Sequence, residues 1–448
     1  MSGWALEDIA AFVLDEARKA GATAADVVVA EGDALSTAVR LGEVEKLKRA
    51  RGKHLGVRVF LGRRSAITSS ADFSRDALVR LAQETCALAR LVEADEYSGL
   101  PEVPELATHV PDLDLFHPRE ISAEEGLALA RRAEAAALGA DPRITNSEGA
   151  EFGCDTRQVA YASSHGFRGS YRTSSFSLSV VPIASENGHM QRDYWYSARR
   201  VFDELEDAEA IGLTAARRTL RRLGARKVPT QQAPVVFEAE MAAGLLRHLA
   251  GAISGYALYK GASFLVDKIG ARIAPDFVTV IDDGTIVRGL GSRPFDGEGV
   301  ASRQTVILER GELKSYLFDS YSARKMKAQT TGNAARSIGD SPGVSSQNFY
   351  LQAGQSSTEQ ILRSVKSGLY VTELIGHGVN PVTGDYSRGA TGLWIENGEL
   401  AYPVEEITIA GNLLHMYRDI ETIGSELNFR TSTTSPVIKI SEMTIAGD

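Results

Sequence analysis

Hydrophobic positions recur at two periods along this chain, and the switches between them predict its elements. Leu6, Ile9, Val13 and Ala17 form a helical stripe that Gly21 stops. ADVVVAEGD, ALSTAVRLGEVEKLKRA, HLGVRVFLG and SAITSSAD then predict a run of strands. In the third of these, Leu55, Val57, Val59 and Leu61 alternate with Gly56, Arg58 and Phe60. Helical period returns after Asp72, the predicted cap, with Leu78, Leu81, Thr85, Leu88 and Val92 on one face. Pro101, Pro104, Pro111 and Pro118 predict an extended linker. Ser122 and Glu125 predict a capping box that opens a helix ending near Leu138. Two strands around a turn at His165-Gly166 follow, then a strand in DYWYSARRVF and a helix over Asp207 to Leu223.

The second half mixes one long helix with many strands. FEAEMAAGLLRHLAGAISGY, Phe237 to Tyr256, places Met241, Leu245, His248, Leu249 and Ala252 on one face. Glu238 and Glu240 suit the positive end of its dipole, and Gly251 and Gly255 weaken its far end. The preceding stretch from Pro229 to Pro234 predicts a linker. FVTVIDDG, TVILERGELKSYLFD, YLQAG, GLYVTELIG, GLWIENGELAYPVEEITIAG and VIKISEMTIAG predict strands or hairpins. ERGE and ENGE are matching turn cores whose glycines suit positive φ. STEQILRSVKSG predicts a short helix, and NLLHMYRDIETIG reads equally as helix or strand. The expected fold class is α+β: an N-terminal α+β domain with an antiparallel sheet, then a β-rich, barrel-like C-terminal domain. The expected segments are 1–98, a proline-rich linker at 99–118, a middle α+β region at 119–228 packed with the first, and 229–448.

Composition narrows what such a chain does. Its 448 residues suffice for two or three domains, and 43% hydrophobic with 24% charged residues is an ordinary globular balance. A net charge of −9 argues against a general nucleic-acid binder. Cys86 and Cys154 are too few for a disulfide framework and fit a reducing, cytoplasmic setting. The start, MSGWALEDIAAFVLDEARKAG, carries acids among its apolar residues and is expected to be a mature helix, not a secretory signal. No apolar run reaches the roughly 18 to 20 residues of a membrane span. Arg217, Arg218, Arg221 and Arg222 end a predicted helix, where they complement its dipole without any nucleic-acid role.

Candidate chemistry is sparse. A metallopeptidase helix would present two histidines one turn apart with a glutamate between them. Here the helix holds Arg247 and His248, and the next turn holds Ala252 and Ile253. The ligand pattern is degenerate, so this chain is expected to bind no metal and to supply no catalytic residue. His109, Asp112, Asp114 and His117 lie in the linker, a poor rigid scaffold for a metal. Asp282, Asp283, Asp296 and Glu298 match no calcium loop. The stretch GHGVNPVTGDYSRGATG, Gly376 to Gly392, contains His377, Asp385 and Ser387. A hydrolytic triad is disfavoured there because Ser387 lacks the G-x-S-x-G turn. Such a glycine-rich connection can instead line a cleft that receives an extended peptide. The polar loop Ala328 to Gly343, with Arg324, Lys325, Lys327 and Arg336 in and beside it, either meets an acidic group or is simply solvated.

Several long motifs resemble the TldD/PmbA family, the modulators of DNA gyrase understood as peptidases. They are GLLRHLAGAISG, KGASFLVDKIG, RPFDGEGVASRQTVILERGELKSYLFDSYSARK, TTGN, GHGVNPVTGDYSRGATGLWIENGELAYPVEEITIAGNL and ISEMTIAGD. The resemblance implies two subunit types. One carries an H-E-x-x-x-H helix and a late cysteine that bind zinc; the other, TldE or PmbA, lacks them. This chain resembles the second type, since it has neither the helix ligands nor any cysteine after Cys154. The resemblance implies a heterodimer or higher heteromer with a TldD-like, zinc-bearing subunit, acting on unfolded and small peptides. The chain alone either stays single or pairs with itself. Thr331, Gly332, Asn333, His377, Asn380, Thr383, Asp385, Tyr386, Ser387 and Gly389 are the expected cleft lining, chosen for loop character. The alternatives are an autonomous homodimeric hydrolase with another site, and a non-proteolytic protein that binds gyrase or another target.

Overall fold

In the computed structural model, residues 4–447 are described; Met1 to Gly3, at the head of the first expected helix, and Asp448, the last residue of the final motif, lie outside that range. The N-terminal half is built on seven strands: β1 (Ala24–Arg40), β2 (Glu43–Leu61), β3 (Arg64–Ser70), β4 (Ile144–Ser163), β5 (Arg168–Glu186), β6 (His189–Arg192) and β7 (Trp195–Arg199). They form one antiparallel sheet in the order β3-β2-β1-β4-β5-β6, with β7 also on β5. The first and middle segments therefore share a sheet, because β1 pairs with β4 from Asp26–Ser163 to Val39–Ala150.

The strands are longer than the sequence pattern suggests, for a packing reason. Helices α1 (Leu6–Lys19) and α2 (Arg75–Leu91) cover one end of a sheet face, burying Val27, Val29, Val57 and Val59. Helices α3 (Ala123–Gly139) and α4 (Ala208–Leu220) cover the other end, burying Leu35, Val39, Phe152 and Phe176. Strand β1 passes under both helix pairs, with Val27 and Val29 under the first and Leu35 and Val39 under the second, all at odd positions. Gly32 does not break it, since Gly32 is paired with Gly52 on one side and Arg157 on the other. Along α2 the buried stripe is Leu78, Leu81, Ala82, Thr85, Cys86 and Ala89, so Leu78, Leu81 and Thr85 lie inward as expected, whereas Leu88 and Val92 are exposed. Its cap is Ser74, two residues later than expected; Asp72 instead accepts from the Ser74 amide. Ser122 caps α3 as expected, but Glu125 binds Arg119 and does not close the box.

From residue 231 onward, β8 (Gln231–Phe237) replaces the expected linker. It pairs in parallel with Ser367–Ile375 and antiparallel with Ile438–Ala446. The strands Asp385–Glu396 and Glu399–Asn412 continue the sheet, which closes when the last of these meets Ile438–Ala446. The result is a five-stranded barrel. Pro234 is tolerated in β8 because the partner strand is irregular between Ile440 and Met443, opposite the missing N–H. Both predicted turn cores place two residues at positive φ, Arg310-Gly311 and Asn397-Gly398. The ambiguous stretch is helix, then strand: Leu413–Arg418 and Ile420–Ile423.

Charged side chains join the halves. The C-terminal arginines of α4 do more than complement its dipole, since Arg218 and Arg222 are buried. Arg218 makes a bidentate pair with Glu238, at 3.0 and 2.8 Å, and Arg221 donates to the same carboxylate at 3.0 Å. Arg222 binds Glu373. A second junction centres on Asp26 of β1, which has no exposed surface. Arg58, Tyr161 and Arg336 all donate to it, and Arg58 continues to Glu298 at 3.0 Å. Burial alone would raise Asp26; Arg336 and Arg58 outweigh it and hold the carboxyl below its ordinary value. Arg324 donates to the carbonyls of Tyr97, Gly99 and Leu100. Arg336 and Arg324 are thus internal clamps, not a free basic loop.

Glu238→Gln removes the charge that two arginines share in a buried setting. It is expected to destabilise the chain by about 3 kcal/mol, read as a lower midpoint in chemical denaturation with secondary structure retained.

Candidate functional site

Helix α5 (Ala239–Ala252) follows β8 directly, two residues later than the sequence pattern places its start. Its capping residue, Glu238, makes no side-chain cap; its carboxylate is taken by Arg218 and Arg221, so α4 sets how α5 leaves the barrel. Leu245, Leu249 and Ala252 are buried, as is Ile253 at the helix end. Arg247 is exposed. The His248 ring stands edge-on to Tyr386, with centroids 6.1 Å apart and planes at 82°. Tyr386 lies on Asp385–Glu396 and is 1% exposed. Arg388, two residues on, is half-buried and donates to the Leu374 carbonyl at 3.1 Å. Burial, then the charges of Arg388 and Arg247, lower the proton affinity of His248. Burial pushes the Tyr386 phenol up to about 12, opposed by Arg388.

The expected cleft residues fall into separate places. His377, Asn380 and Thr383 stand on an exposed turn. Asp385, Tyr386, Ser387 and Gly389 belong to the barrel strand. The Asp385 carboxylate accepts from Thr383 at 2.6 Å and from Asn412 at 3.3 Å, so it does not orient His377. The Ser387 amide donates to the Gly378 carbonyl at 2.6 Å, while Tyr386 faces inward. Thr331, Gly332 and Asn333 are elsewhere. Asn333 is 1% exposed and donates to Asp282 at 2.7 Å; Thr331 donates to Asn333, and the Gly332 carbonyl accepts from Gln347.

The acids around residues 282–298 are filled by protein donors. Asp282 accepts from Asn333 and the Gln347 amide, and Asp283 from Thr285 and Gln304. Asp296 accepts from the amides of Glu298, Val300 and Ala334. Burial pushes Asp282 up to about 6, and burial with Glu298 pushes Asp296 up to about 7. These are structural carboxyls rather than an open cation cage. In the linker, His117 contacts only Asp114 among the expected acids, at 3.1 Å. Among the described residues, no group of three or more His, Cys, Asp or Glu side chains is arranged to hold a metal.

A cavity of about 310 Å³ opens beside the first turns of α5. Tyr194, Trp195 and Tyr196 from the middle segment face Glu240, Arg247 and Arg430 across it. Arg430 stacks on Trp195 at 4.3 Å and pairs with Glu206 at 3.0 Å and Glu240 at 3.6 Å. Burial and the nearby Glu238 raise the Glu240 carboxyl. From sequence, Glu240 and Arg247 are placed only as helix positions, the YWY run only as strand, and Arg430 not at all. The aromatic run YWY and the acid in the first turn of α5 were the visible signals; that Arg430 completes the set depends on tertiary contacts alone.

Three family models match the chain: PmbA/TldA metallopeptidase domain 1 at residues 25–89, central domain at 116–223, and C-terminal domain at 230–447. The chain belongs to the PmbA/TldD metallopeptidase family. It is 43% identical over 423 residues to the metalloprotease PmbA of Escherichia coli O157:H7, covering 94% of this chain and 92% of that one. Identity to a metalloprotease TldD homolog of Buchnera aphidicola is 26% over 421 residues, 88% and 86% of the two chains. The fold matches the crystal structure of a putative modulator of DNA gyrase from Bacteroides thetaiotaomicron with a TM-score of 0.91, at 27% identity and 99% coverage of both.

The metallopeptidase description implies a metal ion, and the donor set on α5 of this PmbA/TldD member does not fit one. A single imidazole lies in the field of Arg388 and Arg247, which disfavours a metal as it disfavours a proton. Ala252, one turn on, offers no ligand. The thiols of Cys86 and Cys154 belong to α2 and β4, in the other half.

His248 is expected to titrate below the ordinary histidine range near 6.5, and Arg388→Met to move it back towards that range. An NMR titration of the ring protons checks both.

Proposed function

We propose that this chain is the metal-free subunit of a PmbA/TldD-type peptidase complex. It completes a peptide cleft, and a TldD-like subunit supplies the zinc. The observation that carries the reading is the setting of His248: where a metallopeptidase helix presents its ligands, α5 presents one imidazole in the field of two guanidiniums, then an alanine. Greater identity to a protein named PmbA than to a TldD homolog supports the same side of the family. The cavity beside α5, with aromatic rings next to both charges, suits peptide side chains of mixed type.

Assembly is supported by the sheet edge. Strand β3 covers β2 only at Leu55 to Leu61, so residues 43–53 of β2 are unpaired on one side among the described residues. They are also exposed on nearly every side chain, with Val44 at 48% and Leu47 at 56%. An edge of that length left open invites a partner strand. On this reading the edge docks the TldD-like subunit.

Peptide cleavage is expected only when this chain is mixed with a TldD-like subunit, not from either chain's buffer control or from this chain alone. Leu47→Asp is expected to weaken the complex about tenfold or more while leaving the isolated chain folded. Cleavage by this chain alone at the rate of the mixture would sink the proposal.

A further inference from the structure

A second cavity lies between the two halves, away from His248. Its volume is about 350 Å³. Strand β2 and the segment around residues 92–99 wall one side. The helix α6 (Gly255–Tyr259), the start of α7 (Ser320–Lys325) and residues 341–344 wall the other. The two short helices pack closely because residue 255 is glycine: a Cβ there would lie 2.5 Å from Phe318 and Ser322 atoms.

The chemistry of the wall is unusual for an interior. Asp319 lines the cavity and is 4% exposed. It caps α7, but that role occupies only Oδ1, which accepts from the Ser322 amide at 2.8 Å and hydroxyl at 2.5 Å. Oδ2 has no partner among the described residues. Glu298, 1% exposed, is by contrast filled: it accepts from Arg58 at 3.0 Å and from the Ser320 amide at 2.9 Å. Four carboxylates line the cavity, those of Glu93, Asp95, Glu298 and Asp319, against the two guanidiniums of Arg58 and Arg63. Arg58 is already committed to Asp26 and Glu298. Glu93 is exposed, and Asp95 accepts from the Tyr321 hydroxyl at 2.7 Å and the Tyr97 amide at 3.0 Å, which leaves Asp319 Oδ2 as the open carboxylate oxygen of the buried wall.

Aromatic rings supply the rest of the wall. Tyr256 and Tyr259 meet edge to face at 5.4 Å, and Tyr259 and Tyr321 at 6.0 Å. Such rings attract cations to their faces. The molecule itself uses them this way: Lys260 sits 4.1 Å from the Tyr256 centroid and Lys325 5.4 Å from that of Tyr321. Neither lysine is part of the cavity lining.

We propose that this cavity binds a primary alkylammonium group, which donates to Asp319 Oδ2 and packs its carbon chain against Tyr256, Tyr259 and Tyr321. The group comes either from a free diamine or from a lysine side chain of a peptide. The inference stands apart from the peptidase reading, because none of these residues is used there. Burial, with Glu298 nearby, also holds the Asp319 carboxyl above its ordinary value, a penalty that a bound cation relieves.

The test is calorimetric titration of the full chain with 1,5-diaminopentane, with Nα-acetyl-lysine amide, and with 1-pentanol as the neutral control. At least one ammonium probe is expected to bind with a Kd below about 1 mM, and pentanol not to saturate at about 10 mM. Binding of the diamine alone assigns the free amine as source; binding of the lysine derivative assigns the peptide. Asp319→Asn keeps the cap acceptor and is expected to weaken binding about tenfold. Tyr256, 52% exposed, is replaceable without loss of fold; Tyr256→Ala is expected to weaken binding about threefold or more with an unchanged Tm. Absence of saturable binding by both ammonium probes would overturn the proposal. So would wild-type affinity in a folded Asp319→Asn protein, or in Tyr256→Ala if the first variant does not fold.

Discussion

Asp26 is a carboxylate with no exposure to water, and the docking of the two halves depends on it. Two arginines and a tyrosine share its oxygens, one arginine from β2, the tyrosine from β4 and the other arginine from the C-terminal half. Taking these charges out of water costs several kcal/mol per ion, which their mutual attraction offsets only with good geometry. Such a network adds little net stability over an apolar contact. What it supplies is register: with any partner displaced, a buried charge would be left alone. Arg58 extends the constraint to Glu298, and Glu298 fixes the start of α7 through the Ser320 amide.

The junction at Glu238 sets the candidate site. Glu238 stands at the turn from barrel strand to α5, and α4 reaches it with two arginines. The entry of α5 is therefore held by the middle segment, not by a local cap. That brings Trp195 and its neighbours to the cavity beside the helix and leaves His248 against Tyr386. The family fold is kept, and the charges that bear on His248 are cationic. A metallopeptidase helix presents two imidazoles and a carboxylate; here Arg388 and Arg247 bear on a single imidazole.

Local structure was legible where one face decides it. The stripe of α1, the alternation of β2 from Leu55 to Leu61, the cap at Ser122 and the turns at Gly311 and Gly398 all follow from near neighbours. The rest needed long-range information. Gly32 looks like a strand break and is a paired position under two helix pairs. Pro234 looks like a linker residue and sits opposite an irregularity in its partner strand. Leu88 and Val92 look buried, yet α2 turns its small residues to the sheet. For the site, the degenerate pattern Arg247, His248, Ala252 was readable as it stands. Arg388, whose charge bears on His248, and Arg430, which completes the cavity, come from segments over a hundred residues away in the chain.

The central claim is that this chain completes a site without holding its metal. It is tested most directly by native mass spectrometry of the assembled complex, with the subunits separated in the gas phase and zinc counted on each. The account predicts zinc on the TldD-like subunit and none on this chain. Zinc retained stoichiometrically by this chain, and lost on replacing His248, would contradict it.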